Sequence, residues 1–348
     1  MATSKVKKRR STDVARALTI RDVAARAGVS IATVSRVMNQ SGAATPATAT
    51  RVREAISELG FRPSQVGRSL KTAKSRTIGV LVPSLANPVF AESIAGIEQA
   101  AQRAGYSVLL ATSHYDRERE RAAIETLRAH WVDGLILTVA AADDSPSLDL
   151  LDAAGAPYVL IYNQPRRLDR ATVTVDNVAA AREAVASLIA LGHRRIAMLA
   201  GLRLASDRAI LRQEGFEAAM RAAGLPPGPT FEVDFESLNV ERAVEALFSA
   251  EESPTALFCG TDLIAIAAMK ALSERGLGVP KDVSVIGFDG VAVGAMLQVP
   301  LTTVEMPVHE MGERAVEQLL AQLNAHAAPR TLLLPHRIRA GFTTRRIA

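Results

Sequence analysis

Two textures divide the chain. Between Leu18 and Leu59 apolar residues recur three and four positions apart in short runs. Val23, Ala24 and Ala27 form one set, Val34, Val37 and Met38 a second, and Val52, Ile56 and Leu59 a third. That spacing puts each set on one face of a helix. Gly28 follows the first set, and glycine enters the left-handed region without a Cβ penalty, so the first helix ends there and the chain reverses. Ser30 then stands as the cap of the second helix, its hydroxyl free to accept an orphaned backbone N–H. Thr45-Pro46 opens the third helix with a cap and a proline whose missing N–H costs nothing at that position. Gly60 closes it. Small Ala24, Ala25 and Ala27 let the first two helices approach closely, as a helix-turn-helix requires.

From Thr77 short apolar runs alternate with amphipathic segments. The pattern predicts strands over 77–82, 106–111, 134–138, 158–161, 196–199, 256–259 and 283–288. Helices are predicted over 90–104, 117–130, 179–191, 212–223, 240–248 and 263–275. Alternation at this spacing argues for parallel sheets with right-handed crossovers. About 270 residues exceed one simple doubly wound sheet, so two similar lobes are expected. A closed eightfold barrel is the rival, and it predicts one uninterrupted series that the late segments 302–304 and 331–334 fit poorly. Between the two textures, Val66, Leu70 and Ala73 share one face of a short helix that Gly67 weakens by about 1 kcal/mol. Such a helix forms only when a partner holds it.

The 48% hydrophobic and 22% charged residues describe a soluble globular chain, and 348 residues allow two or three domains. No apolar run reaches 18 residues and the first 25 hold no signal-peptide core, which argues for the cytoplasm. The single cysteine, Cys259, excludes an internal disulfide and lies in an apolar strand pattern, as core rather than nucleophile. With six scattered histidines no zinc spacing arises, so neither metal nor cofactor is expected. Charge is divided unevenly. Residues 1–76 carry 16 Lys+Arg against 4 Asp+Glu, leaving 25 against 32 for the remainder. A basic head on an acidic body points to a polyanion as the partner of the head. The cluster from Lys5 to Arg10 has no helical periodicity and reads as a disordered arm, either adding phosphate attraction or serving as a solvated tail.

The run Thr19-Ile-Arg-Asp-Val-Ala, Ala27-Gly-Val-Ser and Thr33-Val-Ser-Arg-Val-Met-Asn39 closely resembles the LacI/GalR family of bacterial transcription regulators. So do Pro63-Ser-Gln-Val-Gly-Arg-Ser-Leu70, Gly192-His-Arg-Arg-Ile196, Arg212-Gln-Glu-Gly-Phe216, Phe258-Cys-Gly-Thr-Asp262 and Gly287-Phe-Asp289. The resemblance runs from about Leu18 nearly to the C-terminus. It implies an N-terminal all-α helix-turn-helix DNA-binding domain (18–61) and an α/β two-lobed periplasmic-binding-protein-like effector domain (77–345). A basic arm (1–17) precedes the first, and a hinge helix and linker (62–76) join the two. The N-lobe would comprise about 77–176 and 307–334, and the C-lobe about 177–306 and 335–345, with crossings near Asp176, Pro307 and Pro335. A homodimer on a pseudo-palindromic operator is implied, with an effector between the lobes. The hinge departs from the family pattern in using Ser64 and Gly67 where Asn and Ala are more usual.

The resemblance also assigns roles. Ile31, Ala32 and Arg36 fall at base-reading positions, and Leu70 at the residue that wedges into the minor groove. Arg36 can offer a bidentate fork to guanine, worth about 1–3 kcal/mol of discrimination. Ile31 and Ala32 have no hydrogen-bonding groups and can read only thymine methyls or shape, unless Ile31 is a core residue. Thr33, Ser35 and Asn39 suit phosphate contacts, and Thr19, Ser30, Arg68 and Lys71 complete the expected DNA surface. For the effector the carried-over candidates are Phe90, Tyr162, Asn163, Arg208, Arg212, Phe235, Thr261 and Asp289. Phe90 and Phe235 would stack on a ring face, Arg212 would donate a two-pronged hydrogen bond, and Asp289 would accept from hydroxyls. Arg208 either marks an acidic effector or pairs with Asp207. Asp262 and Asn87 read as helix caps.

These expectations describe a repressor controlled by a small molecule, a sugar or sugar acid. A solute-binding protein of the same architecture would need a signal peptide and no DNA head. A sugar-processing enzyme is disfavoured: no Walker loop, G-x-S-x-G elbow, H-E-x-x-H or strand-following GxGxxG occurs, so no catalytic residue is assigned. No heptad follows Leu334, which favours a dimer over a coiled-coil tetramer.

Overall fold

The computed structural model describes residues 18–39, 44–61, 74–167, 169–249, 252–325 and 328–347. It divides into two units, residues 1–75 and 76–348. The expected arm, and the hinge positions Arg68, Leu70 and Lys71, lie outside the described residues.

In the first unit, helices α1 (Ile20–Ala27), α2 (Ile31–Asn39) and α3 (Pro46–Leu59) follow the apolar spacing. Thr19 opens α1, its amide and hydroxyl both donating to the Asp22 carboxylate at 2.7 Å. Gly28 adopts φ +62° and ends the helix, its N–H and that of Val29 returning to Ala25 and Ala24. Ser30 caps α2 by accepting the Thr33 amide at 3.1 Å, and Thr45 caps α3 through the Thr48 amide at 3.3 Å. Val23, Ala24, Ala27, Val34, Val52, Ala55 and Phe61 make the core, and an Arg26–Glu58 ion pair ties α1 to α3.

The second unit starts with β1 (Thr77–Val82), α4 (Pro88–Arg103), β2 (Ser107–Thr112), α5 (Arg117–Ala129), β3 (Gly134–Leu137), α6 (Pro146–Ala153), β4 (Tyr158–Ile161) and β5 (Thr172–Thr174). A second series follows: α7 (Asn177–Ala190), β6 (Ile196–Gly201), α8 (Asp207–Ala222), β7 (Thr230–Val233), α9 (Glu241–Phe248), β8 (Ala256–Cys259), α10 (Asp262–Glu274), β9 (Ser284–Asp289), α11 (Ala292–Ala295) and β10 (Thr302–Glu305). The chain ends with α12 (Val308–Ala325), β11 (Thr331–Leu333) and β12 (Arg337–Arg339). One sheet has the order β2-β1-β3-β4-β5-β11 and the other β7-β6-β8-β9-β10-β12. Every pairing is parallel except β12 against β10. Two separate sheets exclude the closed barrel.

The two orders are the same topology used twice. In each, the order reverses beside the first strand of its series, between β1 and β3 and between β6 and β8. Loops leaving the carboxyl ends of strands diverge at such a reversal and leave a crevice there. The central strands β1, β3, β4, β6, β8 and β9 are buried along almost their whole length, which explains their continuous apolar runs.

The structure differs from the sequence reading in several elements. Strands β5, β7 and β12 were not expected; they are three or four residues long, and β7 and β12 are sheet edges. Neither α6 nor α12 was expected. α12 buries Val308, Met311, Ala315, Val316 and Leu319 at helical spacing against α4 and the first sheet. Helix α8 begins at Asp207, five residues before the expected 212. Among the described residues no helix is long and apolar enough to cross a membrane.

Candidate functional site

In the first unit the core residues of α2 turn inward and leave a distinct outer face. Ile31 is 44% exposed, so it is not a core residue, and Ala32 and Arg36 are exposed beside it. Arg36 lies one turn after Ala32 and its Nε donates to the Ala32 carbonyl at 3.3 Å, which holds the guanidinium along the helix. Thr33 and Ser35 are half-buried, and Thr33 bonds the Ser30 hydroxyl at 2.9 Å. Thr19 and Ser30 thus spend hydroxyls on helix ends, the first on α1 and the second on α2. Asn39 is the last residue of α2.

In the second unit a cavity opens between the two sheets, at the two reversals of strand order. The space inside it open to water-sized molecules is about 30 Å³. Its walls come from loops and helix starts at strand ends: Asn87, Val89 and Phe90 after β1, Tyr115 after β2, and Tyr162 after β4. From the other series come Gly201 ending β6, Ser206, Arg208, Ala209 and Arg212 after it, Phe235 after β7, Gly260 and Thr261 after β8, and Asp289 ending β9. Phe90, Tyr162, Arg208, Arg212, Phe235, Thr261 and Asp289 are therefore brought together, though up to two hundred positions separate them.

The early start of α8 explains how both arginines reach this wall. Arg208 and Arg212 are four apart on one helix and are 6% and 5% exposed. Arg212 donates through Nε to Asn177 at 3.1 Å and through Nη1 to the Gly260 carbonyl at 2.5 Å and to Asp289 at 3.1 Å. Its guanidinium lies 3.6 Å from the centroid of the Phe288 ring. Burial pushes Asp289 up to about 6 even though Arg212 beside it pulls the other way, and burial lowers Arg212. Desolvation thus outweighs pairing, and the pair sits in a low-dielectric pocket where each charge depends on the other. Asp289 has φ +116°, outside the range an aspartate normally adopts, so the local fold holds it there against strain.

Aromatic rings line the rest. Tyr162 meets Phe90 edge-on, with centroids 5.3 Å apart, and donates its hydroxyl to the Val89 carbonyl at 2.8 Å. Tyr115 stacks on Phe235 at 4.6 Å and 15°, one ring from each lobe. Burial pushes the Tyr115 hydroxyl up to about 12. Phe235 in turn covers Gly201, where a Cβ would fall 1.9 Å from the ring, so glycine is required there. Next to this stack, His114 Nδ1 meets Glu236 at 3.0 Å.

Three placements correct the sequence reading. Asn163 does not line the cavity; it is fully buried, exchanging hydrogen bonds with the Val139 backbone at 2.9 Å and donating to Asp207 at 2.8 Å. The cap of α10 is Thr261, which accepts the Ile264 amide at 3.2 Å. Asp262 is instead the first residue of the helix, accepting from Thr303 at 2.5 Å and the Val291 amide at 2.8 Å. The Asn87 cap is present, accepting the Val89 amide at 3.2 Å. Arg208 pairs with Asp207 at 3.2 Å, the second of its two readings, and also lines the cavity. Tyr115 was missed, because it follows a short loop whose position depends on the strand order and carries no local motif. Among the described residues no group of three or more His, Cys, Asp or Glu could hold a metal ion, and Cys259 is fully buried with its thiol pushed well up.

Comparison with known proteins decides what this pairing of units is. Residues 19–64 match the family of bacterial regulatory proteins, lacI family, and residues 75–341 match the periplasmic binding proteins and sugar binding domain of the LacI family. The chain belongs to the LacI family. It is a DNA-binding transcriptional regulator and not an enzyme. Among its relatives, catabolite control protein A of Priestia megaterium is 34% identical over 324 residues, 92% of this chain and 97% of that one. The transcriptional repressor PurR of Aliivibrio fischeri (strain MJ11) is 37% identical over 312 residues, 88% and 91% of the two chains. The crystal structure of the lac repressor dimer bound to operator and the anti-inducer ONPF matches with a TM-score of 0.86 and 30% identity, over 95% of this chain and all of that one. A complex of the regulator CelR with cellobiose matches at 0.69 and 30%, over 94% and 99%.

Proposed function

We propose that this LacI-family chain is a cytoplasmic homodimeric repressor of a pseudo-palindromic operator, with affinity set by a small polyhydroxylated effector in the interlobe cavity. The observation that carries the effector class is the buried Arg212–Asp289 pair under walls of Phe90, Tyr115 and Phe235. A hydroxyl both donates and accepts, so adjacent carboxylate and guanidinium groups satisfy a vicinal pair of them. Aromatic faces cover the apolar C–H side of a sugar ring. The Asp207 carboxylate already offsets Arg208, which favours a neutral sugar over an acidic one. The lac repressor structure, a dimer bound to operator and the anti-inducer ONPF, and the cellobiose complex of CelR support the same reading.

On DNA, Arg36 reads a guanine edge while Ile31 and Ala32 present only apolar surface. Thr33, Ser35 and Asn39 position the helix on phosphates, with Thr19, Ser30, Arg68 and Lys71. Leu70 wedges the operator centre, and effector-dependent lobe closure determines whether the hinge helices form. A thermal-shift screen over sugars, sugar acids, phosphosugars and purines tests the effector class. A ligand at about 100 times its dissociation constant adds about 2.7 kcal/mol. A neutral sugar is expected to raise the melting temperature of wild type and not of Asp289→Asn. A response to purines alone would overturn the polyol reading.

A further inference from the structure

The loop after β3 is an unusually well-tied piece of backbone. On its own lobe, the Val139 amide and carbonyl both bond Asn163 at 2.9 Å, and the Ala140 amide donates to buried Glu120 at 2.7 Å. The Ala142 carbonyl accepts from fully buried Arg170. What remains of this backbone points at the other lobe, and the first turn of α8 takes it up. The Asp207 amide donates to the Ala140 carbonyl at 2.7 Å, and Asp207 Oδ2 accepts from the Ala142 amide at 3.2 Å and from Asn163 at 2.8 Å. Arg208 adds a bond to the Val139 carbonyl at 3.2 Å and one to Asp207 Oδ1 at 3.2 Å. α8 packs on β6 of the second sheet, so each contact to residues 139–142 or Asn163 spans the two lobes. Burial raises the Asp207 carboxyl, a sign that the cluster is shielded from water.

We propose that the first turn of α8 clamps the two lobes together, and that Arg208 is the positioning residue through which an occupant of the cavity changes closure. Arg208 is the one member of this clamp that also lines the cavity. Its guanidinium has five N–H groups, and among the described residues its Nη1 is the atom bonded, to Val139 and Asp207. An occupant that bonds the remaining groups without moving Nη1 leaves the clamp shut. One that draws Nη1 away from Val139 and Asp207 releases the α8 turn from the opposite lobe. The statement about an occupant rests on the cavity being the effector site, whereas the clamp itself does not.

The test measures interlobe distance in full-length protein without ligand or operator, so it stands whether or not the effector reading holds. Spin labels on Glu118→Cys in α5 and Lys270→Cys in α10, both on exposed side chains, report across the lobes by double electron–electron resonance. Labelled chains are diluted into unlabelled protein so that each assembly carries one labelled copy. The clamp predicts one narrow distribution for the parent. It predicts a longer, broader one for Asp207→Ala and Asn163→Ser, with the double variant no wider than the wider single one, because both remove the same contact. Asp207→Asn, which keeps the volume, serves if Asp207→Ala does not melt cooperatively, and is expected to shift in the same direction. Parent-like distributions for Asn163→Ser and the folded Asp207 variant would overturn the clamp. Arg208→Gln is expected to lengthen the distance too; a parent-like distance there, with Asp207 variants shifted, would overturn the role of Arg208.

Discussion

The outer face of α2 and the interlobe cavity solve opposite problems. Ile31, Ala32 and Arg36 stand exposed, and the Arg36 side chain bonds back to its own helix at the Ala32 carbonyl. Arg208, Arg212 and Asp289 are nearly inaccessible and are bonded to residues from several loops. A surface proposed to lie on DNA can leave its groups exposed, because the partner would supply the missing acceptors. A cavity that must hold charged groups away from water has to satisfy them in advance. The lesson concerns mutations: changes on α2 should alter DNA recognition and leave stability alone, while changes in the cavity should disturb effector binding and stability together.

The largest effect is expected where a buried partner is removed. Arg212→Ala leaves Asp289 unpaired in a dry site and should cost about 3–5 kcal/mol of stability in the second unit, read as a lowered denaturant midpoint with an unchanged slope. A loss no larger than that of an exposed arginine would break the contrast.

Next comes a pH effect. Burial pushes Asp262 up to about 7, above its ordinary 3.8, so the folded chain holds a proton that the unfolded chain has released. Stability should therefore be greatest below the ordinary value and fall as pH rises through about 7, by an amount on the order of a few kcal/mol. Asp262→Asn removes this group, and urea titrations from pH 4 to 8 should show a flatter dependence for the variant. An equal slope in both proteins would contradict the assignment.

On the exposed face, Arg36→Ala should lose about 1–3 kcal/mol of discrimination at one base pair, while its melting temperature stays unchanged. Competition binding against single-base operator variants reads the first, and calorimetry the second. The smallest effect belongs to Ser30→Ala, which deletes the α2 cap and should cost about 1 kcal/mol, confined to melting of the first unit.

The same contrast explains what the chain disclosed before its structure was known. Helix α1, its Gly28 turn and the Ser30 cap are local: each depends on residues within a few positions, so spacing and residue type sufficed. The central strands were legible because burial on both faces makes them continuously apolar. Short edge strands such as β7 and β12 have no such run. Family resemblance supplied seven residues of the cavity wall, yet its interior logic was hidden. Asn163 sits next to Tyr162 in sequence but turns to Val139 and Asp207, and only the meeting of two loops determines that. Tyr115 became visible for the same reason, once the repeated strand order had brought β2 and α8 to one crevice.

The central claim, that the cavity controls DNA binding, is tested by titrating a labelled operator obtained by in vitro selection. The ligand is the sugar that gives the largest thermal shift, and the proteins are wild type and Asp289→Asn. The account predicts that saturating sugar changes the operator affinity of wild type at least about tenfold, a coupling of about 1.4 kcal/mol. It predicts no change for Asp289→Asn, whose affinity without sugar should equal that of wild type. A sugar that raises the melting temperature of wild type while leaving its operator affinity unchanged would contradict the account.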